Sequence, residues 1–170
     1  MAKDKKKKFA SQQRVLVDNA NISSDLKFRI EEAYKSIRAN IMFSVVKKGC
    51  KIIVVSSSLP NDGKTTTTVN LAASISQADQ RVLLIDGDLC KPKIHQYFSV
   101  SSAPGLTDYL SDVASARHKM DIFGIIHPTK YENLSVITSG TIPPNPAELL
   151  GSDFMRDFLN GISKDFDYII

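Results

Sequence analysis

The stretch from Lys51 to Ala73, KIIVVSSSLPNDGKTTTTVNLAA, decides the fold of this chain. It begins with an apolar, β-branched run, residues 52–55 (IIVV), which is typical of a strand buried on both faces in a parallel sheet. Turn-forming residues come next, and after residues 63–65 (GKT) the apolar residues recur at helical spacing. The pattern therefore predicts a strand, a loop and a helix, in that order.

The order strand, loop, G-K-T, helix is that of a phosphate-binding loop, whose backbone N–H groups converge on a phosphate at the positive end of a helix. We expect Lys64 to reach the β- and γ-phosphates of a nucleotide and the Thr65 hydroxyl to ligate Mg²⁺. The usual pattern, G-x-x-x-x-G-K-[ST], has glycine where Ser58 stands, and serine is small enough for close backbone approach. Asn61 is expected to tolerate a positive φ. The predicted nucleotide-binding residues are Ser58, Pro60, Asn61, Asp62, Gly63, Lys64, Thr65 and Thr66. The alternative is a plain helix start with a chance lysine.

A second motif follows the next predicted strand, residues 82–85 (VLLI), which ends in Asp86-Gly87-Asp88. Carboxylates at the C-terminal edge of a parallel strand lie where α/β sheets bind ligands. We expect both to face one crevice, with Asp88 ordering the Mg²⁺ shell and Asp86 accepting the proton of an attacking hydroxyl, and the two roles are exchangeable. The predicted catalytic residues are Lys64, Asp86 and Asp88, and the predicted metal ligands are Thr65 and Asp88. A solvated D-G-D turn is the alternative.

Composition and charge limit the classes of function. The 170 residues are enough for one α/β domain with a core. Residues 3–8 (KDKKKK) carry five lysines and one aspartate, and the other residues carry 17 basic and 17 acidic side chains, so nucleic acid is not an expected partner. No secretory signal or membrane-spanning run is visible, and the two distant cysteines indicate a reducing compartment. We predict a basic, polar, disordered lead over residues 1–23, with weak attraction to an anionic membrane surface as an alternative.

Residues 24–170 alternate helical and strand patterns. Ser24 or Asp25 is expected to cap an amphipathic helix. Its predicted apolar stripe is Ile30, Tyr34, Ile37, Ile41 and Val45. Residues 91–104 are predicted to be loop-like, and residues 122–126 a short apolar element. Further helices are predicted at residues 105–110, from Pro146 and after Ser152, and further strands at residues 134–138 and 167–170. This alternation predicts a doubly wound, mostly parallel α/β sheet.

Four segments carry a resemblance to a known family: SSSLPNDGKTTTT, VLLIDGDLCKP, NLSVITSGTIPPNPAELL and FDYII. Together they resemble the cytoplasmic bacterial tyrosine kinases of capsular and exopolysaccharide synthesis, over roughly residues 30–170. In that family the phosphate loop tolerates a small residue at the position of Ser58 and has proline at that of Pro60. A D-x-D strand end like residues 86–88 is a second Walker-type motif of the group. The combination is more specific than any one of its motifs.

The resemblance implies a P-loop NTPase fold and transfer of the ATP γ-phosphoryl group to tyrosine hydroxyls of protein substrates, with Mg²⁺. It implies a membrane-bound activator, or chain-length regulator, whose cytoplasmic tail activates the kinase. The implied location is cytoplasmic and peripheral, at the inner face of the membrane through that partner. The segment EEAYKSIRANIMF resembles the E-x-x-R-x-x-R-T-N segment of the family, which implies a ring-shaped homo-oligomer formed through the helix at Glu31–Asn40.

The chain departs from the family pattern in several places. Cys90 stands where the family usually has arginine, which removes one cation near the site, although Lys91 is adjacent. Lys35 and Ala39 replace arginine and threonine in the helix segment. The family continues past FDYII into a Walker B aspartate, further strands and a tyrosine-rich tail. We therefore expect residues 24–170 to be the N-terminal part of a single P-loop kinase domain with the C-terminal strands missing. Alone, they are expected to be poorly soluble or partly unfolded, because an apolar sheet edge is left unpaired. They are also expected to be inactive as a kinase, because the Walker B carboxylate that would help to anchor the Mg²⁺ water shell is absent.

Two other classes of protein remain as alternatives. A deviant-Walker, partitioning-type ATPase carries a signature lysine near the start of the loop, and residues 54–63 contain no lysine. A non-catalytic nucleotide-binding remnant, or assembly module, of a truncated kinase is favoured by the missing Walker B aspartate.

Overall fold

The computed structural model describes residues 23–45, 48–117 and 119–170, and nearly all of the predicted lead over residues 1–23 lies outside these ranges. The helices are α1 (Ser24–Ser44), α2 (Lys64–Ser76), α3 (Ile94–Phe98), α4 (Leu106–Ala114), α5 (Pro146–Leu150) and α6 (Asp153–Ile162), with a 3₁₀ helix at Ile122–Ile125. The strands are β1 (Lys51–Ile52), β2 (Val82–Ile85), β3 (Ile126–Pro128), β4 (Leu134–Ile137) and β5 (Tyr168–Ile169).

The strands form one sheet in the order β1-β5-β2-β4-β3. Strands β1, β5, β2 and β4 run parallel, and β3 pairs antiparallel with β4. The predicted mostly parallel α/β sheet is therefore confirmed. Because the parallel strands point the same way, the loops that follow β1, β2 and β4 all leave the same edge of the sheet, where α/β proteins bind ligands.

Each face of the sheet carries its own apolar cluster, because successive side chains of a strand point to opposite faces. In β2, Leu84 packs in one cluster with residues of α2 and α3, and Leu83 packs in the other with residues of α4 and α6. The first cluster is Val69, Leu71, Ala72, Ala73, Ile75, Val82, Leu84, Ile94, Tyr131, Leu134, Val136, Tyr168 and Ile170. The second is Leu83, Leu106, Leu110, Ile125, Ile137, Phe158, Ile162 and Ile169.

The prediction that residues 52–55 are buried on both faces is wrong. Ile52 is 50% exposed and Val54 is 84% exposed. The reason is tertiary: β1 pairs with β5 on one side, and within the described ranges no strand pairs with its other side. The last strand of the chain, β5, lies between β1 and β2, and its Ile169 is 2% exposed. The open edge of the described sheet is thus β1, the strand that leads into the predicted phosphate loop.

Helix α1 begins slightly earlier than predicted. Ser23, rather than Ser24 or Asp25, is its N-cap, and the Ser23 hydroxyl accepts a hydrogen bond from the N–H of Leu26 at 3.3 Å. Asp25 lies in the first turn, where a negative charge is favourable beside the positive helix end.

The predicted apolar stripe of α1 is only partly right. Tyr34 and Ile41 pack against the first cluster, as expected. Ile37 and Val45 are 42% and 37% exposed. The chain therefore buries a narrower face of this helix than the spacing of apolar residues suggests, and no residue of α1 is fully buried.

Most of the other predicted elements are confirmed. The strand predicted at residues 134–138 is β4, the last strand is β5, and the helices from Pro146 and after Ser152 are α5 and α6. The prediction that residues 91–104 are loop-like is wrong where α3 forms, and β3 was not predicted as a strand. Within the described ranges, no helix combines the length and the apolar character that crossing a membrane requires.

Candidate functional site

The loop between β1 and α2 has the backbone conformation of an anion-binding loop. Gly63 is the N-cap of α2 with a φ of 83°, and Asn61 has a φ of 65°, so the expected positive φ at Asn61 is confirmed. No side chain caps α2, and among the described residues no acceptor takes the N–H groups of residues 64–66. The first bond of the turn runs from the N–H of Thr67 to the carbonyl of Gly63 at 2.8 Å. Three neighbouring donors are therefore available to an anion at the positive end of the helix.

The side chain of Lys64 lies across this loop. Its Nζ donates to Ser57 Oγ at 3.1 Å and to the carbonyl of Leu59 at 3.3 Å. The N–H of Leu59 donates in turn to Asp62 Oδ2 at 3.3 Å. These bonds are exposed to solvent, so little free energy is lost when the ammonium group gives them up. The residues predicted for this site include Lys64 and Asp62 but not Ser57, for which the motif offers no signal.

The structure brings all eight predicted nucleotide-binding residues into this loop and the first turn of α2. Ser58, Pro60, Asn61 and Asp62 are exposed, and Thr65 is half-buried. The side chains of the loop are therefore open to a ligand.

Asp86, which follows β2, is buried at 3% exposure. Its Oδ2 accepts from the N–H groups of Lys93 at 3.1 Å and Ile94 at 2.9 Å, and its Oδ1 accepts from the N–H of Asp88 at 3.2 Å. The carboxylate thereby holds the start of α3 against the end of β2. Desolvation raises the pKa of Asp86, although the three backbone N–H groups oppose this effect. One acceptor position remains, on Oδ1.

Asp88 is placed differently, because it is exposed. Its Oδ1 accepts from the N–H groups of Cys90 at 3.3 Å and Lys91 at 2.9 Å, and among the described residues its Oδ2 has no partner. The expectation that the two carboxylates are exchangeable therefore does not fit the geometry: Asp86 supports backbone, and Asp88 offers a free oxygen to the solvent side.

Helix α3, which was not predicted from the sequence, joins the G-K-T and D-G-D motifs. The hydroxyl of Tyr97 lies 3.1 Å from Thr66 Oγ1, in the first turn of α2. Ile94 is 3% exposed and packs in the first apolar cluster. A signal was present in the sequence, since Ile94, Tyr97 and Phe98 have the spacing of one helical face.

The end of β4 lies at the same edge of the sheet as the phosphate loop and the D-G-D segment. The N–H of Asp86 donates to the carbonyl of Ile137 at 2.9 Å, so β4 lies directly beside the D-G-D segment. The N–H of Leu106 donates to the carbonyl of Thr138 at 2.9 Å, which fixes α4 to the same strand end. A Cβ on Gly105 would overlap the backbone of Thr138 and Gly140, so only glycine fits there. These residues were not predicted to belong to the site.

A protein-only metal site is not present in the described ranges, where no three His, Cys, Asp or Glu side chains are grouped closely enough to hold an ion. Mg²⁺ in nucleotide sites takes only one or two protein ligands and completes its shell with phosphate oxygens and water. The Thr65 hydroxyl and the free Asp88 oxygen are a donor set of that sparse kind.

Comparison with known proteins identifies the family of this chain. The family described as "AAA domain" matches residues 50–170. The chain is 38% identical over 139 residues to tyrosine-protein kinase YwqD of Bacillus subtilis (strain 168), covering 82% of this chain and 56% of that protein. It is 41% identical over 143 residues to tyrosine-protein kinase CpsD of Streptococcus pneumoniae, covering 84% of this chain and 60% of that protein.

A solved structure agrees with these relatives. The kinase domain of Escherichia coli tyrosine kinase ETK superposes with a TM-score of 0.72 at 34% identity, covering 82% of this chain and 52% of that one. The resemblance to bacterial tyrosine kinases is therefore confirmed. The chain spans between half and two thirds of the length of these proteins.

Proposed function

The chain belongs to the family described as the AAA domain, and from this premise we propose that it binds Mg·ATP as part of a protein-tyrosine kinase of capsular or exopolysaccharide synthesis. The observation that carries the proposal is the row of free N–H groups at residues 64–66, beside the Lys64 ammonium. Backbone donors of this kind cradle the α- and β-phosphates, and the lysine of such a loop reaches the β- and γ-phosphates.

The two carboxylates suit different parts of the transfer. A tyrosine hydroxyl has a pKa near 10, so a positioned carboxylate helps to remove its proton as the phosphoryl bond forms. We assign this role to Asp86, through the one acceptor position left on Oδ1, because its raised pKa makes it a stronger proton acceptor. Asp88 and Thr65 would hold the Mg²⁺ shell. Bound Mg²⁺ supplies neutralisation of the charge on the phosphate oxygens.

Calorimetric titration with Mg·ATP tests nucleotide binding. Lys64→Met is expected to weaken binding by at least about tenfold, because it removes a charged hydrogen-bond donor from the phosphates. The fold should survive, since the bonds of Lys64 to the loop are exposed. Lys164→Met is the matched control, because Lys164 is an exposed lysine before β5, at the opposite edge of the sheet. Equal affinity in the wild type and Lys64→Met would overturn the proposed site.

Tyrosine kinase activity is tested separately, because the chain spans only part of its relatives. Phosphotyrosine is measured for this chain alone and for this chain joined to the C-terminal part of CpsD, each with and without the cytoplasmic tail of a membrane activator. We propose that only the joined chain with the tail is active. Its location at the inner face of the membrane would follow from that partner. If the joined chain forms no phosphotyrosine under any of these conditions, the kinase assignment is wrong.

We also propose a homo-oligomer through Glu31–Asn40 of α1. Lys35 Nζ pairs with Glu32 Oε1 at 2.7 Å on the exposed surface of the helix. Arg38 is used within the chain, since its Nη1 donates to the carbonyl of Ser74 at 2.7 Å. The contact surface would therefore be centred on Glu32 and Lys35, which share one face of the helix. Light scattering measures the oligomeric state, and a monomer at every concentration would contradict the proposal.

A further inference from the structure

Helix α3 is attached at both ends to the proposed nucleotide site. At its start, the N–H groups of Lys93 and Ile94 donate to Asp86 Oδ2 at 3.1 and 2.9 Å. Near its end, the Tyr97 hydroxyl lies 3.1 Å from Thr66 Oγ1. The helix thus connects the end of β2 with the first turn of α2.

The bond between Tyr97 and Thr66 has no substitute in the described structure. Among the described residues, it is the only hydrogen bond that joins residues 53–68 to residues 86–98. Apart from this bond, Ile94 lies in the apolar cluster that includes Val69, and Tyr97 and Phe98 pack against that cluster. Apolar packing is non-directional, whereas a hydrogen bond between two hydroxyl groups fixes a distance.

We propose that Tyr97 is a positioning residue of the nucleotide site. Its hydroxyl holds Thr66, and with it the free N–H groups of residues 64–66, at a set distance from Asp88. The distance matters because the two proposed Mg²⁺ ligands, Thr65 and Asp88, belong to the two segments that this bond joins. The inference rests on the proposed function, and it adds a residue that lies in neither the G-K-T nor the D-G-D motif.

The ring of Tyr97 is suited to this task. It is half-buried against the first cluster, so the ring is held while the hydroxyl reaches the exposed Thr66 side chain. A tyrosine side chain has two rotatable bonds, so little freedom is lost when it is fixed. Because water competes for an exposed hydroxyl, the expected effect is moderate and needs a coupled test.

The test is a double-mutant cycle read by calorimetry with ATP, in Mg²⁺ and in EDTA. Tyr97→Phe and Thr66→Val are each expected to weaken Mg·ATP binding about two- to tenfold. The double variant should bind no more weakly than the weaker single variant, since either change already breaks the bond. The loss should be larger with Mg²⁺ than in EDTA, which a purely structural contact would not produce.

Tyr109→Phe is the matched control. It removes the same hydroxyl group from a ring that packs on Phe158, at a centroid distance of 5.6 Å, on the other face of the sheet. Its ATP affinity should equal that of the wild type. If Tyr97→Phe binds Mg·ATP as the wild type does, whether or not its melting temperature falls, the positioning role is wrong and the nucleotide site stands. A wild type that binds no ATP overturns both.

Discussion

Asparagine substitutions at Asp86 and Asp88 test whether the two carboxylates differ in their effect on stability. The Asp86 carboxylate holds backbone N–H groups of α3 and of the D-G-D turn, whereas that of Asp88 holds only its own turn. Asp86 accepts on both oxygens, from the N–H of Asp88 on Oδ1 and from the N–H groups of Lys93 and Ile94 on Oδ2. Asp88 accepts on Oδ1 only. Because asparagine has one acceptor oxygen, Asp88→Asn keeps both bonds of its turn. Asp86→Asn leaves at least one backbone N–H facing an NH₂ group.

The magnitude follows from this count of donors. An unsatisfied buried donor costs about 1–3 kcal/mol. Part of that cost is offset because asparagine carries no charge. Burial destabilises the ionised form of Asp86, as its raised pKa indicates, and the substitution removes this penalty. We expect Asp86→Asn to lose about 1–2 kcal/mol of unfolding free energy, a fall of about 2–8 °C in Tm. Asp88→Asn should stay within about 0.5 kcal/mol of the wild type.

The pH dependence has a definite sign. A carboxyl whose pKa is raised on folding binds its proton more tightly in the folded state, so its contribution is largest below its ordinary pKa and is lost as pH rises through the raised value. The wild type thus gains stability from Asp86 on acidification, and Asp86→Asn does not. The difference in stability between them should widen as pH falls toward about 4.

Urea denaturation at pH 7 and pH 5, followed by circular dichroism, measures both effects. The activity assay is phosphotyrosine formation by the chain joined to the C-terminal part of CpsD, where each variant is expected to be inactive while keeping most of its ATP affinity. If Asp86→Asn unfolds at the same urea concentration as Asp88→Asn, the supporting role of Asp86 is refuted. A fully active double variant would refute the catalytic roles of both.

Gly140→Ala is expected to lower the unfolding free energy by at least about 2 kcal/mol, because Gly140 has a φ of 84° and an added Cβ would overlap the side chains packed on it. Gly161→Ala, in the last turn of α6 with open space around it, should raise it by about 0.5 kcal/mol, and an equal loss at both positions in urea denaturation would contradict the packing. The Arg81 guanidinium holds the pKa of Asp167 below its ordinary value, so this pair stabilises the fold above that value and loses its effect as pH falls through the lowered pKa. Asp167→Asn should therefore melt slightly below the wild type at pH 7 and level with it in strong acid, by a small margin because both groups are partly exposed. Asp153→Asn, which breaks an ion pair in which both side chains are well exposed, is the control, and a variant of Asp167 as stable as the wild type at pH 7 would count against the pair.

Features set by neighbours in the chain were predictable. The phosphate loop follows from a strand, a turn and G-K-T in sequence, and the structure places Gly63 and Asn61 at positive φ as that loop requires. The cap of α6 by Ser152 is equally local, since the Ser152 hydroxyl accepts from the N–H of Met155 three residues later. In such cases the interacting groups lie within one turn of one another, so the sequence spacing alone predicts the interaction.

Features that depend on distant segments were not predictable from the chain. The run at residues 52–55 is as apolar as the strand at residues 82–85, yet Val54 is 84% exposed and Leu84 is buried. The difference arises because β5, which begins at Tyr168, lies between β1 and β2 and leaves β1 at the edge. A run of apolar residues indicates that a strand can be buried, but its position in the strand order of the sheet decides whether it is buried.

The sequence by itself determined which residues are the candidates for the chemistry, since Lys64, Thr65, Asp86 and Asp88 stand in motifs a few residues long. Only the tertiary structure decided how they differ. Asp86 and Asp88 have the same side chain two residues apart, and the start of α3 folds onto Asp86 while Asp88 stays exposed. Tyr97 meets Thr66 across 31 positions of the chain. Local spacing specifies strands, turns and caps, whereas burial and distant hydrogen bonds exist only after the sheet and its helices have packed.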